Sequence, residues 1–269
     1  MSRSDIAMDG FTQAVRSLLA RIGFVVPGIG EACVLVVDSA TLTTHVSEAE
    51  YLLDADERSR AARFHFERDR SVYLLAHALW RMVLGVCLEV EAIAVPLVRM
   101  PSGQPRLPGT PLATSLSHSS GWVAIAVGHA ITLGVDIERS PVRIALDDLL
   151  TTICTPSEAA NMRKLPAMAR ETALLALWTR KEALLKAFGT GLLEAPSTLS
   201  AAMPGPVTAP PGSAWPPCRV CDLSLPTGVV GAFAAPVGVG LCRLYVPAGA
   251  EARIMLAMDP GTSGSLSRP

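Results

Sequence analysis

The chain reads as an α+β protein in two comparable halves, because the order strand, helices, strands occurs twice along it. Two observations bound that reading. Half of the 269 residues are hydrophobic, enough to fill a sizeable core. The longest apolar run, Val229 to Cys242, is broken by Pro236 and several glycines and falls short of the roughly 18 residues a membrane helix needs. No internal sequence repeat is visible, so duplication does not follow from the pattern alone. The expected boundaries are an N-terminal extension (1–30), a first half (31–130), a second half (131–247) and a polar C-terminal tail (248–269).

In chain order, Cys33–Val37 is an apolar β-branched run and predicts a strand. A helical region begins at Ser47, and a longer helix spans about Asp69 to Leu88, with Leu74, Leu75, Ala78, Leu79, Met82 and Val83 at helical spacing. Short strands follow near Ala94–Arg99 and Trp122–Val127, separated by a Pro/Gly-rich loop, Met100–Pro111. The second half opens with a strand around Asp136, then helices near Pro156–Lys164 and Ala169–Phe188, the first capped by Thr155 or Ser157. Ala195–Pro217 is dense in Pro, Gly, Ser and Ala and predicts an irregular connection. Arg219–Leu225 and Val229–Ala235 predict a hairpin, and Leu241–Val246 a further strand.

A net charge of −1 argues against a nucleic-acid surface, which needs a clustered basic excess. Cys218-x-x-Cys221 has no second pair and no flanking His, so the six cysteines read as reduced and structural. Residues 1–30 carry Asp5, Asp9 and scattered arginines without an export pattern; a cytoplasmic monomer, free of membrane and nucleic acid, is expected.

Chemistry concentrates in two stretches. In Thr132-Leu-Gly134-Val-Asp136-Ile-Glu138, strand alternation puts Leu133, Val135 and Ile137 on one face and both carboxylates on the other. In Trp178-Thr-Arg-Lys181-Glu182-Ala-Leu-Leu-Lys186-Ala-Phe-Gly189-Thr-Gly191, residues Trp178, Glu182 and Lys186 form one helical stripe ahead of a glycine breaker. If the stripe faces the strand, Asp136, Glu138 and Glu182 converge on one cation, and oxygen-only ligation suits Mg²⁺ shared with a phosphate-bearing substrate. Plainer readings stand beside this one: a solvated Asp-x-Glu strand face, and a surface ion pair between Glu182 and Lys186.

Together these two stretches resemble the paired signature of the 4'-phosphopantetheinyl transferases, Sfp type, and the resemblance covers roughly residues 55–195. It implies two similar α+β halves about a pseudo-twofold with coenzyme A between them. It also implies transfer of the phosphopantetheine arm of coenzyme A to a serine of an apo acyl or peptidyl carrier protein, with release of 3',5'-ADP. Mg²⁺, for which Mn²⁺ can substitute, would be held by Asp136, Glu138 and Glu182. Glu182 would also accept the serine proton, and Lys186 would steady the leaving phosphate.

Three further segments resemble the family's coenzyme contacts. Arg60 lies in a basic cluster with Arg63, Arg68 and Arg70 that the residues alone read as a solvated helix or a phosphate site; the resemblance assigns Arg60 to the 3'-phosphate end. Gly103-Gln104-Pro105 stands where the family has Gly-Lys-Pro, so Gln104 brings no charge and Arg99 or Arg106 would supply it. Ser117-His118 resembles the Ser-His motif at the coenzyme phosphates. A serine hydrolase is excluded, since Ser117 and His118 are adjacent on a strand end and no Gly-x-Ser-x-Gly elbow is present. The alternatives are a silent coenzyme A or carrier-protein binding module, and a Mg²⁺-dependent phosphohydrolase.

Overall fold

A computed structural model describes residues 3–141, 146–191, 194–201, 205–211, 213, 215–247 and 253–257. The first part of the chain forms α1 (Arg3–Arg21), β1 (Glu31–Asp38), α2 (Val46–Ala49), α3 (Ala55–Ala61) and α4 (Glu67–Leu88). Two short strands, β2 (Val98–Arg99) and β3 (Pro105–Arg106), precede β4 (Leu112–Ser119) and β5 (Trp122–His129). The rest comprises β6 (Gly134–Arg139), α5 (Leu150–Ile153), α6 (Pro156–Met162), α7 (Ala167–Ala187), β7 (Cys218–Asp222), β8 (Val229–Pro236), β9 (Leu241–Tyr245) and β10 (Arg253–Ala257).

The protein is α+β, as its sequence predicts. One sheet has the order β10-β9-β1-β5-β4 and a second the order β6-β8-β7. Within them β1-β5-β4 beside α4 and β6-β8-β7 beside α7 have the same connectivity: strand, helix, then two strands that pair with the last one central. The two sheets face each other, and α1 with α4 covers one outer side while α5 to α7 cover the other.

This layering explains why β1 shows no polar alternation. Its residues Cys33, Leu35 and Val37 pack on the α1/α4 side, and Ala32, Val34 and Val36 on the layer between the sheets. A strand covered on both faces is apolar throughout. α4 is long and apolar enough by composition to cross a membrane, and here it is the core helix, buried without interruption from Tyr73 to Gly85.

Several expectations need correction. Residues 3–21 of the N-terminal extension form α1, whose Phe11, Val15, Leu18 and Leu19 enter the first core at helical spacing. β9 and β10 come from the end of the chain yet complete the first sheet, with β9 parallel to β1 (Cys33 opposite Arg243), so the sheets do not divide at residue 130. Residues 253–257 of the tail are therefore strand; its remaining residues lie outside those described. The strand expected at Ala94–Arg99 shrinks to the two residues of β2, since Pro96 has no N–H for a ladder. Thr155 caps α6 in a capping box with Glu158.

One polar network is buried inside the first half. Glu57, in a capping box with Asp54 at the start of α3, receives the Nδ1–H of His77 at 2.9 Å and Nε of Arg81 at 2.6 Å, while Arg81 also reaches Asp54 at 2.5 Å. Burial alone would raise the Glu57 carboxyl, but His77 and Arg81 outweigh it and hold it at about 2. A depressed carboxylate contributes stability that is full above its unfolded value near 4.5 and is lost as pH falls towards 2. Glu57→Gln should accordingly cost roughly 3 kcal/mol at pH 7 by leaving Arg81 under-compensated, and should flatten the acid side of the stability profile. Urea midpoints between pH 2 and 7 check this; an unchanged acid limb would mean that another group governs it.

Candidate active site

The site begins with a close approach between α7 and β6. Gly134 has no side chain to hold the helix off: a Cβ there would overlap the Ala183 carbonyl oxygen and lie 2.7 Å from the Ala187 nitrogen. Alternation then turns Val135 and Ile137 to the layer between the sheets and Asp136 to the helix. Lys186, one turn beyond Glu182, lies 2.7 Å from Asp136 Oδ1 and 3.0 Å from the Val135 carbonyl. The surface pair between Glu182 and Lys186 is thus not formed, because Lys186 turns inward to the strand.

β4 approaches the free edge of β6 without a backbone ladder, and serine hydroxyls stitch the seam. Ser115 Oγ accepts the Val135 N–H at 3.1 Å and Ser117 Oγ that of Ile137 at 3.4 Å. Ser117 also donates to Asp136 Oδ1 at 2.9 Å, and Ser119 donates to Glu138 Oε2 at 2.6 Å. Each acid therefore has a hydroxyl that fixes its rotamer. Two carboxylate oxygens, Asp136 Oδ2 and Glu182 Oε1, are buried and have no hydrogen-bond partner among the described residues. Burial first, then the charges of Asp136 and Glu138, raise the Glu182 carboxyl to about 7 against the opposing charge of Lys186. Glu138 is raised as well, by burial and then by Asp136 against the Ser119 bond.

Asp136, Glu138 and Lys186 share one cleft of about 560 Å³ with Arg60, Arg99, Gln104, Ser117 and His118. Of the residues singled out from the sequence, Glu182, Arg106 and Trp178 do not line this cleft; Glu182 stands beside the acids, whose charges act on its carboxyl. Glu138 and Trp178 also line a second cavity of about 610 Å³, together with Arg68, Leu146 and Leu149. Arg99 lies in the wall near Arg60 and is lowered by burial and then by the Arg60 charge. Arg106 does not serve the cleft: its guanidinium covers the Trp215 ring at 4.2 Å and donates to the Ile131 carbonyl. His118 brings no charge at neutral pH, because burial, then His77, Lys186 and Arg99, push it down to about 4. The Gln104 amide is bonded to Thr132 and to the end of α7.

Sequence reasoning missed Tyr73 and His77, stacked at 4.0 Å in the cleft wall, and Ser119. Ser115-x-Ser117-x-Ser119 on one strand face is the signal that could have found the last. Lys181, in the same segment as Glu182, is fully buried on Glu158, Ile153 and Pro196, so it anchors α7 to α5 and α6. The six cysteines are free, and burial raises Cys218 and Cys221 to about 12, which leaves them inert thiols.

Family models coincide with this geometry. Residues 132–204 match the 4'-phosphopantetheinyl transferase superfamily and residues 41–130 match the N-terminal region of 4'-phosphopantetheinyl transferases. The two matches adjoin in the connection between β5 and β6, and the chain belongs to the 4'-phosphopantetheinyl transferase family. It is similar to the 4'-phosphopantetheinyl transferase HetI of Nostoc sp., at 32% identity over 52% of this chain and 61% of the relative. A phosphopantetheinyl transferase of Thraustochytrium sp. is 32% identical over 52% of this chain and 54% of its own length, and 4'-phosphopantetheinyl transferase psf-1 of Bacillus pumilus is 27% identical over 58% and 66%. The chain thus spans less than two thirds of the length of each of these relatives.

Gly134→Ala should cost about 3 kcal/mol or more, because the added methyl meets helix backbone and not a movable side chain. Gly238→Ala, with nothing within 4 Å of the new methyl, is the control. Urea denaturation of both variants decides; equal midpoints would show that α7 does not rest on the Gly134 backbone.

Proposed function

We propose that the chain is an Sfp-type enzyme that transfers the 4'-phosphopantetheine arm of coenzyme A to a serine of an apo acyl or peptidyl carrier protein and releases 3',5'-ADP. The observation that carries this reading is the gathering of Asp136, Glu138, Glu182 and Lys186 at the seam, next to a cleft with Arg60, Arg99 and His118 in its wall. We take the repeated connectivity as two halves about a pseudo-twofold, with the coenzyme between them.

Asp136, Glu138 and Glu182 are the residues that would hold Mg²⁺. Among the described residues no three acidic, His or Cys side chains already stand as a finished metal cage, but two carboxylate oxygens without partners among those residues and the raised Glu182 and Glu138 suit a divalent cation. A cation held there would supply neutralisation of the pyrophosphate charge. The protein's own share is placement and proton handling. Arg60 and Arg99 suit the phosphates through charge-assisted hydrogen bonds. Glu182, beside Asp136 and Glu138 on the α7 stripe, accepts the proton of the attacking serine, directly or through water. Lys186 lies against Asp136 and supplies positive charge where the leaving phosphate develops its own.

The test is the intact mass of an apo carrier protein incubated with the protein, coenzyme A and Mg²⁺, where a gain of one phosphopantetheine arm is expected. EDTA should abolish the gain and Mg²⁺ or Mn²⁺ restore it. Glu182→Gln should slow single-turnover transfer at least about a hundredfold without lowering the melting temperature, since the amide keeps the shape and removes a disfavoured buried charge. Lys186→Ala should depress kcat more than coenzyme affinity. Near-normal transfer by Glu182→Gln would return the α7 stripe to a structural role. No mass gain with any carrier would leave a binding module.

A further inference from the structure

The Gln104 side chain stands where the wall of the first half meets the end of α7, and its donors face the helix. Nε2 lies 3.1 Å from the Lys186 carbonyl oxygen, 3.2 Å from that of Ala187 and 3.1 Å from Thr132 Oγ1. Thr132 in turn donates its hydroxyl to the Ala187 carbonyl. α7 closes in a Schellman turn, with the Gly189 N–H returning to Lys186 at 3.1 Å and the Thr190 N–H to Leu185 at 3.2 Å. Helix ends leave their last carbonyls without intrahelical partners. The amide and Thr132 complete those of the final turn.

The fit involves both sides. Gly189 has φ +64°, and a Cβ there would stand 2.7 Å from Gln104 Cδ, so glycine serves the left-handed turn and also makes room for the amide. An amide nitrogen has only two hydrogens, here shared among three acceptors, and Gln104 cannot offer them to a phosphate without releasing the helix.

We propose that Gln104 is a positioning residue and not a coenzyme ligand: it ties the loop between β2 and β3 to the last turn of α7 and so fixes Lys186. The residue whose carbonyl it holds is the one whose ammonium reaches Asp136 at 2.7 Å and the Val135 carbonyl at 3.0 Å. A shift of this turn therefore moves the charge. The kinetic consequence rests on the transfer proposed above; the structural one does not.

The experiment compares Gln104→Met, which keeps length and removes both donors, with Gln104→Lys, which keeps donors that a helix C-terminus favours. Gln104→Met should lower kcat for transfer about ten- to a hundredfold while KM for coenzyme A stays within about twofold. It should also speed amide exchange at residues 185–190, and Gln104→Lys should recover both. Gln104→Ala replaces Gln104→Met if the latter does not fold. A raised KM with unchanged kcat and unchanged exchange would overturn the proposal, because that is the behaviour of a phosphate contact. If wild-type protein transfers nothing, the proposed function fails, and the exchange measurement alone decides the role of Gln104.

Discussion

Contact between the backbone of β6 at Gly134 and the backbone of α7 at Ala183 and Ala187 is the constraint on which the site depends. Helices usually lie on sheets through side chains, which holds the two backbones well apart. Here a glycine on the strand and alanines on the helix remove that spacer. The gain is reach: Lys186 contacts the strand itself, and Glu182 comes close enough to Asp136 and Glu138 for their charges to raise its carboxyl. A larger spacer would leave the same residues in the same order and dissolve the cluster.

A second constraint acts from the other side of β6. The edges of two sheets meet there, and edge strands carry free N–H groups that are costly to bury. The serines of β4 take two of those groups and, with hydroxyl protons still to place, orient both strand carboxylates. Joining the halves and shaping the site are therefore one structural event. The clustered acids also explain the perturbed carboxyls: like charges brought out of water favour the protonated form unless a cation joins them. Lys186 supplies one positive charge to this group, and among the described residues Asp136 Oδ2 and Glu182 Oε1 have no partner.

Legibility in the sequence followed the range of the interactions. β6 and the α7 stripe could be read because alternation and four-residue spacing are local, and α4 because Leu74, Leu75, Ala78, Leu79, Met82 and Val83 recur at helical spacing. Pairings between distant segments could not. Gln104 reads as an uncharged coenzyme contact until the end of α7, more than 80 residues away, is placed against it. Arg106 reads as one more cation for a phosphate until Trp215 takes it. β9 looks like the last strand of the second half, and only its parallel pairing with β1 assigns it to the first sheet. The helical spacing of Phe11, Val15 and Leu18 is the local signal for α1, and the expectation of a plain N-terminal extension leaves it unused.

The central claim is that the seam forms a joint site for a divalent cation and coenzyme A, and calorimetric titration with coenzyme A in the presence and absence of Mg²⁺ tests it most directly. The account predicts that Mg²⁺ tightens coenzyme binding to the wild-type protein and that Asp136→Asn, which keeps the shape of the side chain and removes its charge, loses this dependence while the fold persists. Coenzyme binding equally tight with and without Mg²⁺, or the same Mg²⁺ dependence in Asp136→Asn, would contradict it.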